Sequence, residues 1–142
     1  MREIKRLIEV IVPAGSYVLG DPCYVVPDDK WDELLLSCDY FQESPIGKVD
    51  GYHVLGFSTQ FGDGLYMDNT NREYPVDAGL IGLVPLEFAQ IEASKFFPTH
   101  VVTFDKETLC TRKANGVLTF GSYSIDTDPE EESDCLRRYL ED

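Results

Sequence analysis

Val76-Asp77-Ala78-Gly79-Leu80-Ile81-Gly82-Leu83-Val84 is the stretch that decides the fold of this chain. From Ala78 to Val84 no polar side chain interrupts the run. A run this short and this apolar reads as a central β-strand covered on both faces. Gly79 and Gly82 within it predict close approach by a neighbouring backbone. Asp77 stands at its mouth, where a carboxylate is costly unless it is paired, hydrogen-bonded or used.

Outward from this strand the pattern is mostly β. Residues 65–67 and 73–76 flank Asp68-Asn69-Thr70-Asn71, four turn formers in a row, as a hairpin does. Residues 52–61 alternate, with His53, Leu55, Phe57, Thr59 and Phe61 on one face. Residues 4–12 are β-branched up to Pro13, residues 16–19 form a short strand, and residues 99–104 form another. Asn115-Gly116 between residues 108–114 and 117–123 predicts a type I′ hairpin, with positive φ at both central residues.

Two segments read as amphipathic helices. Over residues 28–38, Trp31, Leu34, Leu35 and Cys38 fall on one stripe, with Asp28 or Asp29 as the cap. Over residues 128–141, Pro129 opens the helix and Cys135, Leu136, Tyr139 and Leu140 make the stripe. Proline at the first position also predicts a short helix over residues 85–93. The expected fold is a single α+β domain over residues 1–142. It has a mainly antiparallel sheet of about seven or eight short strands and two good helices.

Charge narrows the function. The chain of 142 residues carries 26 acidic and 12 basic side chains, a formal net charge of -14, with 43% hydrophobic residues. So apolar a chain repays its ordering entropy and is no disordered acidic tail. Its charge excludes direct binding to a nucleic-acid backbone and docking on an anionic membrane. No apolar run is long enough to span a bilayer, and residues 1–15 lack the pattern of a signal peptide. A cytoplasmic location is expected, in the host cytoplasm if the chain is viral. Cys23, Cys38, Cys110 and Cys135 contain no CxxC pair and read as free thiols packed as small hydrophobes.

The acidity is not spread evenly. Residues 20–43 hold seven acids and one base, and residues 126–142 hold eight acids and two bases. Each segment contains one of the two helices. In the second, Glu130, Glu131 and Glu132 precede Arg137 and Arg138, an order that complements the helix dipole. Solvated helix faces therefore stand beside the reading of an acidic DNA-mimic or decoy.

Candidate site residues gather in three loops. Gly20-Asp21-Pro22-Cys23-Tyr24 is a turn, or a pocket edge with Asp21, Cys23 and Tyr24 facing a ligand. Gly62-Asp63-Gly64-Leu65-Tyr66 offers Asp63 and Tyr66, and Asp77 completes the set. Arg72, Lys48, Arg112 and Lys113 are the few cations able to meet a phosphate-rich ligand, and Arg72 lies nearest these loops in sequence. Tyr17, Tyr24, Tyr52, Tyr66 and Tyr74 could stack on a planar polar group, or serve as core and cross-strand residues. Asp21, Asp63, Asp68 and Asp77 could hold Mg²⁺ or Ca²⁺, the basis of an Asp-dependent metal hydrolase reading, although their spacing matches no EF-hand loop. Cys23 as a nucleophile would need His53 or His100 as its base.

Pro13-Ala14-Gly15-Ser16-Tyr17, Gly20-Asp21-Pro22-Cys23-Tyr24, Gly62-Asp63-Gly64-Leu65-Tyr66 and Val76-Asp77-Ala78-Gly79-Leu80-Ile81-Gly82 together carry a resemblance. They resemble segments of a largely uncharacterised family of small phage and bacterial accessory proteins. The resemblance covers roughly residues 13–84 and brings no catalytic residues with it. It implies an accessory, anti-defence role: sequestering a small, nucleotide-derived ligand, or binding a host defence protein. The expectation is thus a non-enzymatic binding protein without cofactor, with the metal hydrolase and the acidic decoy as alternatives and a homo-oligomer open.

Overall fold

The computed structural model describes residues 7–42, 44–90 and 100–127. In chain order the first elements are β1 (Ile8–Val12), β2 (Gly15–Gly20), a 3-10 turn (Pro22–Tyr24) and helix α1 (Asp28–Ser37). Then follow β3 (Ile46–Val49), β4 (Tyr52–Ser58), β5 (Gly64–Met67), β6 (Glu73–Val76) and β7 (Leu80–Pro85). The last are β8 (His100–Phe104), β9 (Thr108–Arg112), β10 (Val117–Phe120) and β11 (Tyr123–Asp126).

The strands form three sheets in which every pairing is antiparallel. One has five strands in the order β3-β4-β7-β2-β8, another four in the order β1-β9-β10-β11, and β5-β6 is a separate hairpin. β7 lies at the centre of the five-stranded sheet, and Leu80 to Val84 are all buried. On one of its faces Tyr17, Leu19, Leu55, Phe57, Ile81 and Leu83 share a core with Cys110, Leu118, Phe120 and Ile125 of the four-stranded sheet. On the other face Val18, Val54 and Val84 pack with Val25, Val26 and Leu34 of α1. The apolar run thus has a physical cause: from Leu80 to Val84, β7 is covered on both faces.

A row of glycines crosses the centre of the five-stranded sheet. Gly20, Gly82 and Gly56 are cross-strand neighbours on β2, β7 and β4. A Cβ added to Gly82 would fall 1.7 Å from the Leu55 carbonyl oxygen, so this position must be small. Gly79 answers to a different cause. Its nearest side-chain neighbour would be 3.9 Å away, but its φ of +72° favours glycine. On the helix side a Cβ at Gly47 would meet Leu34 Cδ1 at 2.6 Å, which is where α1 seats on the sheet.

Several expectations need correction. Eleven strands are present among the described residues, more than seven or eight, because the β structure divides into three sheets. One α-helix is described, and the helix expected over residues 128–141 lies outside the described residues, as does Cys135. β4 stops at Ser58 because the Thr59 hydroxyl accepts from the Gly62 N–H (2.8 Å) and donates to the Gly62 carbonyl (2.7 Å). That turn leaves Phe61 50% exposed, and His53 is exposed at the other end of the strand. Pro85 ends β7 and opens no helix over the residues described, where the chain makes a turn through residues 86–88. The β9–β10 hairpin forms, but only Gly116 has positive φ (+90°), Gly116 N–H donates to the Lys113 carbonyl, and residues 114–116 make a three-residue loop.

Candidate ligand-binding cleft

Asp21 is 3% exposed and caps the 3-10 turn through Oδ1, which accepts the Cys23 N–H at 3.0 Å. Its Oδ2 accepts the N–H groups of Asp77 (2.8 Å) and Ala78 (2.7 Å). One carboxylate therefore ties the loop after β2 to the loop before β7, across 56 positions of sequence. Tyr24 adds a second tie, its hydroxyl donating to Asp77 Oδ2 at 2.9 Å. Burial raises the Asp21 pKa, outweighing the amide bonds from Ala78, Cys23 and Asp77. Burial and the charges of Asp21 and Asp77 push the Cys23 thiol up as well, the reverse of what a nucleophile requires.

Asp68 anchors the other end of the β5–β6 hairpin. Oδ1 accepts from the Thr70 N–H (2.7 Å), the Thr70 hydroxyl (2.7 Å) and the Arg72 N–H (3.1 Å). Oδ2 accepts the hydroxyl of Tyr74, which is 1% exposed, at 2.6 Å. Burial works to raise the Asp68 pKa, but the bonds from Tyr74, Thr70 and Arg72 prevail and hold it below the ordinary 3.8. Between that folded value and 3.8 the unfolded chain binds more protons than the folded one. The stabilisation is therefore complete above pH 3.8 and lost as pH falls through the folded value. Asp68→Asn is expected to cost about 2 kcal/mol at pH 7, since the charge-assisted bonds weaken. In urea unfolding at a series of pH values its deficit should shrink below pH 3.8. A deficit constant with pH would remove Asp68 from the acid response.

The sequence-derived site residues divide between these two anchors. Asp21, Cys23, Tyr24 and Asp77 come together. Asp63 is exposed, with Oδ1 3.9 Å from where a Cβ of Gly79 would stand. Tyr66 is buried and donates to the Gly62 carbonyl at 2.9 Å. Arg72 lies at the far end of β6 from Asp77, its guanidinium 5.3 Å from the Tyr123 ring centroid. His100 packs against Tyr74 with ring centroids 4.7 Å apart, and its Nε2 lies 2.8 Å from the Glu73 carbonyl. Among the described residues, no three His, Cys, Asp or Glu side chains gather as a metal-binding group. Among those residues too, no helix is long and apolar enough to cross a membrane. The acidic run from Glu130 to Asp134 lies outside them.

The loop clamped by Asp21 also forms one wall of a cleft of about 630 Å³, through Ala78, Gly79 and Leu80. Its lining also includes three aromatic side chains: Trp31 from α1, with Tyr40 and Phe41 from the turn after it. This turn is strained. Tyr40 N–H reaches back to the Leu35 carbonyl (2.7 Å), closing the helix, and Asp39 follows the cap with φ of 52°. Tyr40 and Phe41 continue in the same left-handed region at 59° and 63°. Each such residue without glycine costs about 1–2 kcal/mol. Part of that cost is offset where the Phe41 ring packs over Gly56, 3.0 Å from where its Cβ would stand. Tyr40 remains 55% exposed at the cleft.

Arg112 completes the lining and is 1% exposed. Nε donates to the Ser58 carbonyl (2.7 Å), Nη1 to the Lys113 carbonyl (3.1 Å) and Nη2 to Gln60 Oε1 (3.0 Å). These acceptors are all neutral. Sequence reasoning missed Trp31, Tyr40 and Phe41 as cleft residues, because they read as helix stripe and loop. Arg112 was legible as a cation, but not as a buried one.

No protein-family model, no curated protein and no solved structure matches this chain.

Proposed function

We propose that this chain is a non-enzymatic binding protein that sequesters a small ligand in the cleft lined by the Ala78–Leu80 loop and by Trp31, Tyr40 and Phe41. The observation that carries this reading is the cleft itself. Its volume of about 630 Å³ is that of a small-molecule site, and one wall is a loop held by a buried carboxylate. The left-handed turn supports it further, because strained backbone persists where the surroundings enforce it and concentrates at binding sites. A binding role also accords with aspartates already occupied by hydrogen bonds and a Cys23 thiol held protonated. A phage-type accessory protein acting in the host cytoplasm is the setting in which such sequestration would blunt a defence signal.

The test is native mass spectrometry of protein purified from its host, compared with Ala78→Trp. Ala78 is exposed on the cleft wall, so an indole there fills the cleft while the backbone bond to Asp21 stays. Retained mass on the wild type that is lost on the variant is expected. No retained mass, or equal retention by both, overturns the reading.

Docking of a host protein is a second reading, favoured by one observation. Phe61, Leu65 and Met67 are 50%, 60% and 52% exposed on and beside the β5–β6 hairpin. Leu65→Lys with Met67→Lys is expected to abolish co-purification of such a partner without altering the thermal midpoint. Unchanged co-purification would exclude this face.

A further inference from the structure

We propose that the cleft selects a planar anion, an aromatic ring carrying a phosphate or carboxylate, with Arg112 receiving the charge and Trp31, Tyr40 and Phe41 facing the ring. The inference rests on the cleft reading above and names its ligand class. A guanidinium has five N–H donors, and the three hydrogen bonds of Arg112 occupy three of them. The other two have no acceptor among the described residues, on a side chain that is 1% exposed and lines the cleft. Nor does any carboxylate described lie within ion-pair distance. The one ion pair among the described residues is Lys30–Asp50, on the surface.

A buried cation served only by neutral acceptors is costly, and burial alone pulls the guanidinium below its ordinary pKa. An oxyanion meeting the two open donors would relieve that cost with charge-assisted bonds. None of the residues that line the cleft is acidic, in a chain that carries 26 acids; the carboxylates of Asp21 and Asp63 stand behind and beside the Ala78–Gly79 wall. The aromatic side chains Trp31, Tyr40 and Phe41 among the lining residues offer a ring surface to stack on. A guanidinium and three aromatic side chains lining one cleft ask for charge and ring in one molecule.

Trp31 is the single tryptophan of the chain and lines the cleft, so its fluorescence reports occupancy directly. Four probes separate the features: adenosine 5′-monophosphate and benzoate, which are planar anions of the two kinds, adenosine, which is planar and neutral, and inorganic phosphate, which lacks a ring. At least one of the two planar anions should quench Trp31 saturably, and the stronger of them identifies phosphate or carboxylate as the preferred group. Adenosine and phosphate should each bind about tenfold more weakly or worse, the loss expected for one missing charge-assisted contact or one missing stacked ring. Arg112→Met, similar in volume and neutral, should lower affinity for the preferred anion by about tenfold or more and leave adenosine unchanged. Should Arg112→Met fail to fold, the wild-type preference for monophosphate over adenosine decides the point.

Adenosine binding as tightly as its monophosphate, with benzoate no better than inorganic phosphate, would overturn the charge selection and leave the cleft reading standing. Undiminished anion affinity in Arg112→Met would do the same. Silence of all four probes at about 1 mM would overturn the planar-anion inference, while the retained-mass measurement still judges the cleft separately.

Discussion

Gly82→Ala is expected to destabilise the fold by about 3 kcal/mol, the upper end of what overpacking costs. The added methyl would lie 1.7 Å from the Leu55 carbonyl oxygen and 2.9 Å from Gly56 Cα, both backbone atoms of β4. No rotamer change can make room there. The strands must separate, and the β4–β7 ladder from Leu55↔Leu83 to Ser58↔Leu80 weakens at the centre of the larger sheet. In thermal unfolding this corresponds to a fall of about 10 °C for a chain of this size. Gly51→Ala is the matched control. Gly51 has φ of +82° but nothing within 4 Å, so its loss is conformational only, about 1 kcal/mol. Equal losses at the two positions would show that β4 does not press on β7.

The second large effect is expected at Asp21. Asp21→Ala removes the acceptor of three backbone N–H groups at once, those of Cys23, Asp77 and Ala78. Each donor left unpaired in the interior costs about 1–3 kcal/mol, and water reaches the exposed Asp77 and Ala78, so the sum is about 3 kcal/mol. Asp21→Asn keeps the outline and one acceptor oxygen and should lose about half as much. Amide hydrogen exchange locates the effect. Protection of Cys23, Asp77 and Ala78 should fall in Asp21→Ala while that of the β9–β10 hairpin holds. The cleft wall at Ala78 and Gly79 would loosen with it, so ligand retention should fall too. Unchanged exchange at those three amides would rule out the clamp.

The residues that told most from sequence were those whose type admits few environments. The apolar run from Ala78 to Val84 pointed to a strand covered on both faces, which holds from Leu80 to Val84, while Ala78 and Gly79 form a bend ahead of it with Ala78 exposed. Asp77 at the mouth of the run marked a point where polar groups gather. The stripe from Trp31 to Cys38 placed α1 with equal force. What escaped was whatever depends on tertiary packing. Asp39, Tyr40 and Phe41 contain no glycine or asparagine to announce a left-handed turn. That conformation is held by the closure of α1 onto the Leu35 carbonyl and by the fit of Phe41 over Gly56. Arg112 ends the strand Thr-Leu-Cys-Thr-Arg, which has no polar–apolar alternation, and nothing local shows that Ser58 and Gln60, more than fifty positions earlier, enclose it. Asp21 was legible as a turn residue. That its second oxygen reaches 56 positions ahead was not.

The order of strands has a consequence for how the chain is made. β1 pairs with β9 from Ile8↔Arg112 to Val12↔Thr108, and β7 enters between β4 and β2, whose own segments precede it by some 25 and 65 positions. During synthesis at about 5–20 residues per second, β1 therefore waits several seconds or longer for its partner. Closing contacts so distant along the chain also slows folding itself, into the range of milliseconds to seconds. Through that interval Ile8, Val10 and Val12 have no β9 to cover them. Nascent chains of this protein should accordingly engage chaperones until Arg112 has left the ribosome.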